Sequence, residues 1–258
     1  MPEIQIIEEI EPLLADYISC YRNITGEGHI HFKRLTPQPG ASLIFDFDGL
    51  IFNERAFLHS AVVGIHTCSY TFRTMTPVRN CFVVRFSAYG LSRFTGISMP
   101  RLRNDIVDAE EVFDGDIREL YHALECKDLP GRIHLVEQFL LGRLRGHNYA
   151  ENCIFRLANF YREHDNETDA ASLMADILMS RRHLERQFKG LIGIDMSTYK
   201  RICRFEMARK VLTDNHQPLA HLAYDLGYYD SAHFSRDFKR IASVSPGRFT
   251  GCMLGRQD

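Results

Sequence analysis

The sequence predicts an α+β chain: a β-rich N-terminal domain, a small barrel or sandwich with helices, followed by an all-α domain of two helix-turn-helix units joined by a linker helix. Three observations carry this expectation. Short β-rich runs punctuated by turn signals fill the stretch from His29 to Ala88, apolar residues recur at helical spacing after Gly90, and one helical pattern is written twice beyond Ala171. With 258 residues the chain has room for two domains, since single cores seldom grow beyond roughly 250 to 300 residues.

The strand-forming part is recognised by its punctuation. Pro37, Pro39-Gly40, Asp48-Gly49 and Pro77 separate runs such as Ser42 to Phe47 and Cys81 to Phe86, as turns separate antiparallel strands. In the second of these runs aromatic and β-branched residues dominate, which suits a half-buried pleated surface.

After Gly90, Ile117, Leu120, Tyr121 and Leu124 fall on one helical face, with Asp114 as the expected cap. A second stripe follows Pro130-Gly131, formed by Ile133, Val136, Phe139, Leu140 and Leu144, with Arg132, Glu137, Arg143 and Arg145 placed away from it. Amphipathicity leaves two partners open for that stripe, the chain's own sheet or a second copy of the chain. Gly146-His147-Asn148 marks a candidate linker edge, dividing residues 1–147 from residues 148–258.

The repeated pattern runs from Ala171 to Lys189 and again from Leu219 to Lys239. Each copy has a short apolar helix, a turn, a small polar capping residue (Ser180, Asp230), and a helix carrying an Arg two residues before a Phe-Lys pair. The two pairs stand 50 residues apart. Leu184 and Phe188, like Phe234 and Phe238, are spaced i and i+4 and turn one face inward. The opposite faces stay polar, with Arg181, Arg182, Glu185, Arg186 and Lys189 in the first and Ser231, Ala232, Ser235, Arg236, Lys239 and Arg240 in the second. Such a helix fits a major groove about 12 Å wide, where Arg pairs with guanine edges and Lys or Arg at helix ends meets phosphates. Between the copies, Asp195 is placed to cap a linker helix through Leu212 that carries Arg201 and Arg204. At about 1.5 Å per residue that helix spans roughly 27 Å, close to the ~34 Å turn between successive major grooves on one DNA face.

The formal charge of −2 conceals a division. From Thr168 onward there are 14 Lys and Arg against 10 Asp and Glu, and upstream 17 against 23. A basic segment carried by an acidic one is the footprint of a phosphate-binding unit.

The residues Ala223, Leu226-Gly227-Tyr228, Asp230, His233-Phe234-Ser235-Arg236, Phe238-Lys239-Arg240 and Ser245-Pro246, with Arg204, Ala208-Arg209 and Leu212 before them, resemble the signature of the AraC/XylS family of transcription regulators, and the likeness extends over residues 151–250. The resemblance implies that Arg182, Glu185, Arg186, Ser231, Ala232, Ser235 and Arg236 face bases. Arg181, Lys189, Arg201, Arg204, Lys239 and Arg240 are the expected phosphate contacts. It also implies that the N-terminal half is a cupin-like sensor or dimerisation domain. The first unit departs from the pattern at Met174, Leu178 and Met196, and Ser243 stands where a Gly normally precedes Val-Ser-Pro. The expected partners are double-stranded DNA, a small-molecule effector, a second copy of the chain and RNA polymerase, in the cytoplasm.

Phe45, Phe47, Phe72 and Phe82, with His66 and Arg85 as polar anchors, form the candidate effector pocket. His29-x-His31 with His59 and His66 suggests a metal site, but no carboxylate stands at a matching spacing, so neither metal nor cofactor is expected. Seven scattered cysteines without a CxxC pair read as reduced thiols. The competing class is a cysteine- or metal-dependent enzyme fused to a DNA-binding domain. It would need a reactive thiol in a metal or transfer motif, and none of the seven sits in one. No nucleophile-base pair, phosphate loop or paired-carboxylate motif is recognisable either. No apolar run approaches the ~20 residues of a membrane span.

Overall fold

A computed structural model describes residues 3–27, 33–52, 55–57, 59–74, 78–146, 148–163, 173–174, 177–214 and 218–253. The first half holds strands β1 (Glu3–Ile7), β2 (Ile18–Glu27), β3 (Lys33–Leu35), β4 (Ser42–Asp46), β5 (Leu50–Phe52), β6 (Arg55–Phe57), β7 (Ser60–Val63), β8 (Tyr70–Thr74), β9 (Val78–Phe86) and β10 (Ile106–Asp108). They form two antiparallel sheets, ordered β1-β2-β9-β4-β7-β10 and β3-β8-β5-β6. Helices α1 (Glu110–Phe113), α2 (Asp116–Glu125) and α3 (Leu129–Leu141) follow. Beyond them the elements among the described residues are helices: α4 (Tyr149–Glu163), α5 (Arg181–Ile192), α6 (Met196–Asp214), α7 (Leu219–Asp225), α8 (Ser231–Ala242) and α9 (Pro246–Met253). This is the α+β architecture expected. None of the described helices is long and apolar enough to cross a membrane.

The period of two along a strand divides the larger sheet into unlike faces. Leu43 and Phe45 of β4 and Phe82, Val84 and Phe86 of β9 are buried in the main core with α2 and α3. Tyr21, Phe82 and Phe45 stack there at centroid distances of 5.9 and 6.4 Å. Against the other face the smaller sheet brings Tyr70 onto Ala61, Val63 and Ile106.

Ile117, Leu120, Tyr121 and Leu124 are buried as their spacing predicts. Asp114 is not the cap of that helix. It closes α1 in a positive-φ conformation, φ 60°, and Gly115 precedes α2.

In α3, Val136 and Leu140 are buried in the chain's own core, while Ile133 and Phe139, with Leu144 just past the helix, pack on its margin. Arg132, expected on the polar side, is buried. Its guanidinium donates to Leu124 O at 3.2 Å and to the amide oxygens of Asn23 and Asn80 at 3.2 and 3.0 Å, and it lies 4.4 Å from the Phe47 ring centroid. A buried cation is tolerable when its donors are satisfied in this way.

The apolar cores do not follow the linker edge. One cluster runs from Leu14 to Cys203, taking in α4, α5 and the first half of α6. The second runs from Phe205 to Phe249, built on the rest of α6 with α7 and α8. Across the edge, the buried Arg93 pairs with Glu151 of α4 at 2.7 Å and also donates to the Arg145 carbonyl.

Candidate nucleic-acid interface

Each helix proposed to enter DNA begins with a satisfied cap. Ser180 Oγ accepts from the His183 amide at 3.3 Å to start α5, and Asp230 Oδ1 accepts from the His233 amide at 2.6 Å to start α8. The side-chain oxygen takes an amide that has no intrahelical partner, which fixes where the helix begins. Inward faces are apolar: Leu184, Phe188 and Ile192 in α5, and Phe234, Phe238 and Ile241 in α8. Phe188 meets Tyr199 of α6 edge-on at 5.5 Å, and Phe238 meets Phe205 of α6 at 4.8 Å. The linker helix thus supports α5 from its first half and α8 from its middle onward.

The helix ends differ. Gly193 closes α5 at φ +98°, where a Cβ would stand 3.0 Å from the Met99 carbonyl oxygen, so both backbone and packing require glycine. Ser243 closes α8 at φ +63°, a conformation that costs an L side chain about 1 to 2 kcal/mol.

Outward faces are polar. Arg181, Arg182, Glu185, Arg186 and Lys189 are exposed on α5, and Ser231, Ala232, Arg236, Lys239 and Arg240 on α8, with Ser235 half-buried. Arg181 pairs with Glu185 at 3.0 Å, and an Arg186 guanidinium nitrogen lies 3.1 Å from His183 Nδ1. In α8, Arg236 Nε donates to Ala232 O at 3.3 Å. Leu178, in the turn of the first unit, is 87% exposed.

Two of the residues expected at phosphates are less open than the rest. Arg201 and Arg204 of α6 are half-buried. Arg201 donates to Thr198 Oγ1 at 3.2 Å, and Arg204 lies 5.7 Å from the centroid of the Tyr228 ring. Tyr228 in turn donates to Asp237 Oδ2 at 3.0 Å. Arg204 therefore braces the linker on the second unit's turn. The proximity of Arg204 to Tyr228 depends on how α6 meets α7, which residue spacing within α6 does not express.

Asp195 caps α6 as predicted, accepting from the Thr198 amide at 2.9 Å, Thr198 Oγ1 at 2.9 Å and Ser197 Oγ at 2.6 Å. Partial burial opposes its ionisation, but these hydrogen bonds outweigh that and hold the carboxyl at about 2.

A cavity of about 520 Å³ lies between the second face of the larger sheet and the second helix-turn-helix unit. Arg85 and His66 line it. Phe45 and Phe82 do not, because their strand positions are odd to those of Arg85 and its neighbours and point into the main core. Phe47 packs on Tyr121 at 5.2 Å, under Arg132. The Phe72 side chain lies outside the described residues.

Arg22 and Tyr70, not expected from the sequence, line the same cavity, and Arg209 of α6 with Ala242, Val244 and Phe249 of the second unit closes it. Alternation along Cys20-Tyr21-Arg22-Asn23-Ile24 was the available signal for Arg22. His66 stacks on Tyr70 at 3.8 Å, with Nδ1 2.9 Å from Gly64 O. Beside them Ser69 donates from its amide and its hydroxyl to Ile241 O, at 2.7 and 3.0 Å, tying the N-terminal half to the last turn of α8.

His29 and His31 lie outside the described residues, and His59 packs instead against Tyr121 and His122. Among the described residues no group of three or more His, Cys, Asp or Glu side chains could hold a metal ion.

Compared with known proteins, residues 173–251 match a family described as a helix-turn-helix domain, and residues 11–108 one described as a domain of unknown function (DUF6597). The arabinose operon regulatory protein of Escherichia coli (strain K12) is 28% identical over 128 residues, covering 46% of this chain and 44% of that protein. The HTH-type transcriptional regulator GlxA of Rhizobium meliloti (strain 1021) is 39% identical over 70 residues, 27% of this chain and 21% of that one. The chain thus spans less than half the length of these curated relatives. Among solved structures, ToxT of Vibrio cholerae O395 superposes with a TM-score of 0.46 at 10% identity, covering 99% of this chain and 98% of that one.

Proposed function

We propose that this chain, whose C-terminal part carries a helix-turn-helix domain of the AraC/XylS family, is a sequence-specific transcription regulator that reads two adjacent major-groove segments of double-stranded DNA and is modulated by an effector held in its N-terminal half. One observation carries this reading: two capped helices with basic, exposed faces, α5 and α8, are packed one after the other along one continuous helix. The 19 residues of α6 span about 28 Å, against the ~34 Å helical turn of DNA. In this reading residues 148–258 bind DNA and residues 1–147 sense. The effector's place is the cavity beside α8, and RNA polymerase and a second copy are the further partners such a regulator meets.

The test is DNA binding by the full chain, because the first reader shares its core with the N-terminal half. Selection from a random duplex library should yield a preferred site. Its affinity should fall linearly on logarithmic axes as salt rises, by about 0.9 units of slope per phosphate contacted. Equal affinity for all duplexes, or no response to salt, would overturn the proposal.

A further inference from the structure

The cavity beside α8 contains an unusual electrostatic arrangement. On the larger sheet Arg22 of β2 is in register with Val83 of β9, so Arg85, two residues on, is its diagonal neighbour on the same face. Side chains so placed are about 7 to 8 Å apart at Cα. Both are cationic, both face the cavity, and among the described residues neither forms an ion pair. The Arg22 Nε is buried with no hydrogen-bond partner. Burial, then repulsion from Arg22, lowers the Arg85 guanidinium to about 10, which leaves it charged at neutral pH.

The acids nearby do not resolve the imbalance. Asp46 is in register with Cys81, whereas Arg85 is in register with Ser42, a separation of four residues or about 13 Å along the strand. Asp46 moreover accepts from the Asp48 amide at 3.0 Å. Glu206 is bound by Arg209 through two hydrogen bonds of 2.8 and 2.6 Å. Apolar side chains make up much of the remaining wall, with Ile24, Ile44 and Val83 on the sheet side and Val244 and Phe249 on the side of the second unit. Two like charges held together in an apolar cavity are costly until an anion joins them, and guanidinium forks match a carboxylate.

We infer that this cavity is the binding site for a monoanionic carboxylate with an apolar body, its head between Arg22 and Arg85 and its body against Val244 and Phe249. The inference deepens the effector site of the regulator reading and rests on it for biological meaning. The ligand is seated at the seam next to the Ser69–Ile241 tie, so occupancy fixes how the second reader docks on the N-terminal half.

The experiment is calorimetry on the full chain without DNA, using octanoate and 2-naphthoate as probes, each beside its neutral analogue, octan-1-ol and 2-naphthylmethanol. One or both carboxylates are expected to bind one per chain, at least tenfold more tightly than the matching alcohol. Preference for one of them distinguishes a flexible body from a flat one. Arg85→Met and Arg22→Met are each expected to weaken the carboxylate at least tenfold and leave the alcohol unchanged. Without ligand the Met variants should melt no lower than the natural chain, because each removes one of two repelling charges; this shows that they fold. Octanoate or 2-naphthoate should also slow amide hydrogen exchange at Ile241 to Val244.

Binding of alcohol and acid with equal strength, retention of carboxylate affinity in both Met variants, binding by neither acid, or unchanged exchange at the seam would overturn the assignment. Failure of DNA selection with carboxylate binding intact would sink the regulator reading and leave the site standing.

Discussion

Arg236 and Lys239 lie three residues apart on α8, both exposed, yet they are expected to act differently. Arg236, midway along the helix, is expected at a base edge, so Arg236→Ala should cost about 1 to 3 kcal/mol and relax preference at one base pair. Lys239 is nearer the helix end, and Lys239→Ala should lower affinity for all sequences and reduce the salt slope by about 1. Competition binding on a panel of single-base variants checks this division, and identical profiles would refute it.

Asp195 offers a pH prediction at the same scale. Its folded value of about 2 lies below the ordinary carboxylate value of 3.8, so the stability from its charge is fully present above about pH 4 and lost as pH falls through about 2. Asp195→Ala should cost about 1 kcal/mol at neutral pH. In urea unfolding at stepwise lower pH, the gap from the natural chain should narrow between about pH 4 and 2. This cap was legible in the sequence because capping is local. Arg132 was not legible, since its partners Asn23 and Asn80 come from β2 and β9.

Helices α5 and α8 had their starting residues and buried faces written in residue order, and both begin where Ser180 and Asp230 indicate. Their last turns were less readable, because the backbone there answers to neighbours. Within α5, Gly190 has open space around it and Gly193 does not. Gly190→Ala should therefore raise stability by up to about 1 kcal/mol through helix propensity. Gly193→Ala should lower it by about 1 to 2 kcal/mol through positive φ, with the Met99 carbonyl adding to the cost. In α8 the situation reverses at the corresponding position, where Ser243 carries the strain. Ser243→Gly is expected to raise stability by about 0.5 to 1 kcal/mol. Chemical denaturation of the three variants distinguishes these signs. In the sheet, alternation told which residues share a face but not which face meets the helices. Phe82 and Arg85 were grouped in one pocket, although they are three positions apart and so belong to opposite faces.

For the whole molecule, the decisive feature is that the apolar cores cross the linker edge between residues 147 and 148. Leu184, Phe188 and Tyr199 are buried in the same cluster as Phe94, Met99 and Leu102, whereas Phe234 and Phe238 belong to the second cluster. A fragment of residues 148–258 should thus keep α8 ordered and loosen α5. Hydrogen exchange is expected to be faster in α5 of the fragment than in the full chain, with α8 little changed. Equal protection of both helices in the fragment would show that the first reader needs no support from the N-terminal half.

Residue order alone carried the periodicities, the caps at Ser180, Asp195 and Asp230, the duplicated helix-turn-helix pattern and the basic faces of α5 and α8. All of these arise from residues within a few positions of one another, where helix and strand geometry translate spacing directly into direction. Only the tertiary structure decided that Arg22 and Arg85 share one cavity wall, that Val244 and Phe249 close it, and that Ser69 reaches the end of α8. Those neighbours are brought together by strand register and by packing between the two halves. No local pattern encodes either one, because contacts between distant segments depend on the whole chain's arrangement.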